Sequence, residues 1–170
     1  MAKDNRKQIE QLEKQTLKTY FGYDTFRPGQ EVIVEHILAG RDVLAVMPTG
    51  AGKSLCYQLP ALLLPGITVV VSPLISLMMD QVKALNEAGV HAAYINSSLT
   101  ESQIARALEL AKAGQYKIIY VAPERLETSR FLDFACHTEL SMITVDEAHC
   151  ISQWGQDFRP SYVRIPDFIR

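Results

Sequence analysis

The sequence has no Cys-x-x-Cys pair, and its three cysteines, Cys56, Cys136 and Cys150, are too few and too scattered for a disulfide framework. They read as reduced thiols that pack as small apolar side chains. Cys136-His137 and His149-Cys150 place Cys and His side by side. Neighbours of that kind rarely converge on one metal, since structural zinc ligands come in pairs spaced about two to five residues apart. No apolar run approaches the roughly 20 residues of a membrane helix, and the N-terminus is charged where a signal peptide is apolar. A cytoplasmic protein with no membrane partner is expected. Basic excess is missing too: 17 Lys and Arg stand against 19 Asp and Glu, for a net charge of -2. That excludes a broad electrostatic footprint for nucleic acid, so any such contact is local or shared with other parts of the protein. No repeat, low-complexity tract or linker interrupts the chain. What is present, 48% hydrophobic and 21% charged residues over 170 positions, fits one globular domain with a real core.

Short β-branched apolar runs alternate with helical patterns. The runs are Asp42 to Val46, Ile67 to Val71, Ala92 to Ile95, Lys117 to Val121 and Met142 to Val145. They lack polar alternation, which suits strands buried on both faces of a parallel sheet. Helices are expected at about Pro28 to Leu38, Lys53 to Leu63, Ile75 to Glu87, Glu101 to Ala113 and Glu124 to Cys136, after an earlier one at roughly Asn5 to Tyr20. Pro28 suits a first helical turn and Gly40 follows the end of the same helix. The alternation predicts an α/β fold, a mostly parallel sheet flanked by helices on both faces.

Chemistry enters at Met47-Pro48-Thr49-Gly50-Ala51-Gly52-Lys53-Ser54, after one expected strand and at the start of an expected helix. This is the context of a phosphate-binding loop, although its usual first glycine is Met47 here. Thr49, Gly50, Ala51 and Gly52 would turn backbone N–H groups toward phosphate oxygens, the two glycines leaving no Cβ in the way. Lys53 would reach the β- and γ-phosphates, and the Ser54 hydroxyl would ligate Mg²⁺. A nucleotide site also needs an acid at the tip of another buried strand, and Asp146-Glu147-Ala148-His149 follows Met142 to Val145. Asp146 would hold Mg²⁺, mostly through water, and Glu147 would orient or deprotonate the attacking water. Read alone, Asp-Glu at a helix start is also a cap and a dipole complement, and His149 a routine polar core residue.

With both motifs in place the chain resembles the RecA-like helicases, and its flanking residues narrow the likeness to the RecQ family. The stretch from Leu17 through Phe26-Arg27-Pro28-Gly29-Gln30 is similar to the segment with which that family grips adenine. The resemblance implies that Gln30 hydrogen-bonds the adenine edge while Tyr23 and Arg27 pack on its faces. An amide, with one donor side and one acceptor side, matches adenine bidentately. Without the downstream motifs, Phe21, Tyr23 and Phe26 would read as core aromatics and Gln30 as a solvent-facing helix residue. Ser72-Pro73-Leu74-Ile75-Ser76-Leu77 with Asp80-Gln81 resembles a motif that lies along DNA backbone, and Asn96-Ser97-Ser98 and Pro123-Glu124-Arg125-Leu126 also resemble family segments. Cys150 to Pro160 is similar to the aromatic-rich loop that couples single-stranded DNA to ATP hydrolysis. Trp154 and Phe158 would stack on bases and Arg159 would pair with phosphate, unless the aromatics are core residues. Where this family more often has histidine the chain has Gln156.

The resemblance runs from about Leu17 to Arg159 and implies the first RecA-like lobe of an enzyme using ATP and Mg²⁺. Residues 1–40 would carry the N-terminal helices and adenine motif, and residues 41–170 the phosphate-loop core. The implied activity is translocation along single-stranded DNA from the three-prime towards the five-prime end, with duplex unwinding, in repair or recombination. Lys53, Asp146, Glu147 and His149 would be its catalytic set, and in a bacterium the protein would associate with the nucleoid. A DEAD-box or DEAH-box RNA helicase lobe and a nucleotide-binding module without turnover are the alternatives. Such enzymes need a second lobe, and the Ser/Thr-Ala-Thr segment expected a few tens of residues after the acidic box is not in these 170 residues. The lobe is therefore expected to lack its last strand or strands, and the chain alone to be incompetent for unwinding.

Overall fold

Ile67 to Val71 is five apolar or β-branched residues without a polar break, and it forms strand β1, Ile67–Val71, buried at every position. Continuous burial of this kind needs cover on both faces, which a central strand of a parallel sheet has. In the computed structural model, which describes residues 2–47 and 52–147, β1 is joined by β2, Ala92–Ile95, β3, Ile118–Val121, and β4, Leu140–Val145. All pairings are parallel and the order is β2-β3-β1-β4. The described chain divides into two compact units, one up to Pro65 and one from Gly66 onward.

In the unit from Gly66 onward, three helices accompany the sheet: α4, Ile75–Glu87, α5, Glu101–Lys112, and α6, Ser129–Cys136. Ile104, Leu108 and Ala111 of α5 and Phe131 and Phe134 of α6 pack with Val69, Val71, Ile95, Ile119 and Val121 of the strands. The strand period of two turns Val70, Ile118 and Tyr120 to the opposite face, where they are equally buried. The β1–β4 register slips between Ile67, opposite Leu140, and Thr68, opposite Met142. Ser141 is the extra residue, and its hydroxyl accepts the Gly66 N–H at 2.6 Å. A Cβ on Gly66 would stand 2.6 Å from both Glu139 O and Ser141 Oγ, so the bulge requires glycine there.

The unit up to Pro65 contains α1, Ala2–Thr16, continued by a wider π turn over Leu17–Phe21, then α2, Gln30–Leu38, and α3, Leu55–Leu63. Leu17, Val34, Leu55 and Leu59 form its core, with Phe21, Phe26, Leu38 and Leu63 packed around them.

Four expectations are corrected. Asp42 to Val46 forms no strand, and Val43, Leu44 and Val46 are exposed, Val46 to 91%. A strand is defined by its ladder, and no described segment pairs with residues 42–46. The helix expected from Pro28 begins at Gln30, because Gly29 is left-handed at φ 87° and a right-handed helix does not run through it. The helix expected from Lys53 begins at Leu55, with Ser54 as its cap residue. The helix expected from Glu124 is a 3₁₀ turn, Pro123–Arg125, followed by α6. Thr128 takes the Arg125 carbonyl through both its N–H, at 3.2 Å, and its hydroxyl, at 2.7 Å, in place of the next helical bond.

Candidate nucleotide site

In the first unit the phosphate-loop residues that the structure describes are Met47, Gly52, Lys53 and Ser54; Thr49, Gly50 and Ala51 lie outside the described residues. Gly52 is left-handed at φ 75° and precedes α3 closely. Ser54 presents its carbonyl to the N–H groups of Tyr57 and Gln58, opening the helix, while Lys53 is exposed. Exposure beside a helix N-terminus suits a phosphate-binding lysine.

Gln30 is not the solvent-facing helix residue that the segment would suggest without the downstream motifs. It is buried, its Nε2 donates to Gly52 O at 2.9 Å, and its Oε1 accepts the Arg27 N–H at 2.8 Å. The amide thus ties the Arg27 turn to the end of the phosphate loop. A Cβ at Gly52 would lie 2.5 Å from Gln30 Nε2 and 3.8 Å from Arg27 Cδ, so glycine is needed for close approach as well as for its φ. Tyr23 is 52% exposed. The structure therefore gathers Arg27, Gln30 and Gly52, three of the residues assigned to nucleotide by motif alone.

In the second unit the strands end on a common edge. Ala122 N donates to Ile95 O at 3.0 Å, Ser72 N to Val121 O at 3.1 Å and Asp146 N to Val71 O at 2.9 Å. These bonds extend the ladder one residue past each strand and line up Ser72 and Asp146 at the carboxyl ends of neighbouring strands. Open parallel sheets bind ligands at that edge. Asp146 is buried, and its Oδ1 accepts the Glu147 N–H at 3.0 Å. Glu147 has φ 57°, a left-handed conformation that a residue with a Cβ adopts at a cost, so the turn after β4 is set by tertiary structure and not by propensity. Ser72 is buried and Pro73 half-buried, so neither is a freely exposed DNA contact. Asn96 is buried, its Oδ1 accepting the Ser98 N–H at 2.9 Å, which closes the turn after β2. His149, Trp154, Gln156, Phe158 and Arg159 lie outside the described residues. Cys136 and His137 are exposed, and the other Cys–His neighbours, His149 and Cys150, lie outside the described residues.

Sequence reasoning missed three carboxylates in the first unit. Glu13, on α1, and Glu31 and Glu35, on α2, bring one oxygen each to within 4.8 Å of the others. Burial, then Glu35, Glu31 and Glu10, push the Glu13 carboxyl up to about 7. The available signal was the like-charge pair Glu31 and Glu35 one turn apart, which a helix normally avoids.

Residues 27–170 match the family model of the DEAD/DEAH box helicases. The chain is 50% identical over 155 residues to the ATP-dependent DNA helicase RecQ of Bacillus subtilis, covering 91% of this chain and 26% of that protein. It is 46% identical over 172 residues to the ATP-dependent DNA helicase RecQ of Pasteurella multocida, covering 97% and 27%. It thus spans about a quarter of the length of the curated relatives it matches. Among solved structures, the DUF1998 helicase MrfA bound to DNA and AMPPNP superposes with a TM-score of 0.64 at 19% identity, covering 81% of this chain and 21% of that one; the likeness is one of fold. The chain belongs to the DEAD/DEAH box helicase family, and within it to the RecQ helicases.

Proposed function

We propose that the chain is the ATP-binding part of a DNA helicase that couples ATP hydrolysis to three-prime-to-five-prime movement on single-stranded DNA and to unwinding of partly duplex DNA, in repair or recombination. The observation that carries the reading is the buried Asp146 at the tip of a parallel strand, with Glu147 held in a left-handed turn beside it. The names of the RecQ relatives support ATP and DNA as ligands.

In this reading Gln30 meets the adenine edge, exchanging its bonds to Gly52 and Arg27 for bonds to the base, while Tyr23 and Arg27 flank the ring. Lys53 neutralises charge on the β- and γ-phosphates together with the backbone of Thr49, Gly50, Ala51 and Gly52. The Ser54 hydroxyl and the Asp146 carboxylate are hard oxygen donors of the kind Mg²⁺ takes. When bound, Mg²⁺ would supply positive charge that offsets the charge of the phosphates. Glu147 orients the attacking water and accepts its proton, with His149 completing the catalytic set. Ser72 and Pro73 shape the strand-tip edge along which DNA backbone runs, with Trp154 and Phe158 stacking on bases and Arg159 pairing with phosphate.

ATPase rates of the full-length protein with no nucleic acid, with single-stranded DNA and with RNA test the proposal. Stimulation by DNA but not RNA is expected. Stimulation by RNA alone would assign the lobe to an RNA helicase, and absence of turnover would reduce it to a nucleotide-binding module.

A further inference from the structure

Glu31 and Glu35 stand one turn apart on α2, and Glu13 reaches them from α1, so three like charges gather with one oxygen each inside 4.8 Å. Such a gathering is unfavourable unless something of opposite sign offsets it. Glu13 is 1% exposed, and among the described residues neither of its oxygens has a hydrogen-bond partner. A buried carboxylate normally has a donor or a cation beside it. The charged groups acting on Glu13, namely Glu35, Glu31 and Glu10, are all acidic. The unsatisfied oxygens therefore belong to a cluster in which no described residue supplies positive charge.

We infer that Glu13, Glu31 and Glu35 bind a hard divalent cation of about calcium's size, which pins α1 to α2. Two oxygens on opposite sides of Ca²⁺ at about 2.4 Å stand about 4.8 Å apart, whereas around Mg²⁺ at about 2.1 Å the limit is about 4.2 Å. No pair in the cluster is wider than the calcium limit, so small side-chain rotations bring all three carboxylates onto one ion without moving a helix. Oxygen-only ligands favour Ca²⁺, Mn²⁺ or Mg²⁺ over zinc or copper. Glu31 and Glu35 are half-buried, which leaves a side open for the waters that complete the shell. The three carboxylates are not among the ligands assigned to nucleotide-bound Mg²⁺, and their role does not depend on that assignment.

The test is calorimetric titration of the nucleotide-free, full-length protein with CaCl₂ and separately with MgCl₂, paired with melting curves in chelator and in Ca²⁺. The expected result is one saturable Ca²⁺ event at or below about 1 mM, the weak end of protein calcium sites because only three protein ligands contribute. Ca²⁺ should raise the melting temperature. Glu35→Gln should weaken the event at least tenfold and Glu13→Gln should abolish it, while Asp146→Asn leaves it in place. If Glu13→Gln does not fold, the half-buried Glu35→Gln decides alone. Heat-silent titration overturns the inference, as does an event that survives both glutamine variants or is lost in Asp146→Asn. A Glu13→Gln protein that melts higher with no Ca²⁺ effect in the wild type would show that the cluster holds only a proton, and would overturn it equally.

Discussion

The Gln30 side chain uses both ends of its amide inside the chain, donating to Gly52 O and accepting from Arg27 N. Gln30→Ala should consequently do two things. It should narrow the preference for ATP over GTP, since a bidentate base contact is worth about 1–3 kcal/mol of discrimination. It should also lower the stability of the nucleotide-free protein by about 1–3 kcal/mol, because two hydrogen bonds of about 0.5–1.5 kcal/mol each are lost. Competition binding and thermal melts read the two effects separately, and an unchanged preference would remove Gln30 from the adenine site. The two described cysteines differ in a way their spacing did not reveal. Burial pushes the Cys56 thiol up, whereas Cys136 is exposed. The thiolate is the nucleophile, so iodoacetamide should label Cys136 first and Cys56 slowly, with Cys56 accelerating as pH rises or denaturant is added. Peptide mass spectrometry follows each site, and equal rates would mean that the α3 start opens readily.

At the scale of elements, sequence pattern was most informative where side chains alone specify the structure. Ile67 to Val71 and Ala92 to Ile95 are strands at the predicted residues, as short apolar runs rich in β-branched or aromatic residues suit strands of a sheet covered on both faces. Thr100 and Gln103 make a reciprocal capping box, Thr100 Oγ1 accepting the Gln103 N–H at 3.2 Å and Gln103 Oε1 the Thr100 N–H at 2.8 Å. Thr100→Ala should cost about 1 kcal/mol, measured by denaturant unfolding, with Thr100→Ser retaining most of it. A null effect would mean that α5 is held by Ile104, Leu108 and Ala111 alone. Asp42 to Val46 is a short, mostly apolar run of the same kind, yet it makes no ladder with any described segment, since pairing is a relation between segments that composition does not encode. The shortened starts of α2 and α6 have local causes, the left-handed Gly29 and the Thr128 hydroxyl, which a periodicity count does not weigh.

For the whole molecule, the proposed enzyme separates binding, chemistry and coupling among different residues. Lys53→Ala should weaken ATP binding and turnover together, whereas Glu147→Ala should spare much of the binding and disable turnover, because only the first removes charge from the phosphates. ATP affinity and single-turnover rates distinguish them, and unchanged turnover in either variant would sink its role. Trp154→Ala should leave basal ATPase in place while reducing stimulation by single-stranded DNA, a stacked base being worth about 1–3 kcal/mol. A large drop in melting temperature with normal stimulation would instead make Trp154 a core residue. The sequence by itself determined the α/β class, the phosphate-loop and acidic motifs and the family, because those depend on residue type at fixed spacing. Only the tertiary structure decided that Gln30 bridges Arg27 and Gly52, that Asp146 and Ser72 share one sheet edge, and that Glu13 meets Glu31 and Glu35. Those are encounters between residues distant along the chain, and they come about through the burial of Leu17, Val34 and Leu55 in one core and of the strand faces in the other, forces that draw side chains together without being written in any local pattern.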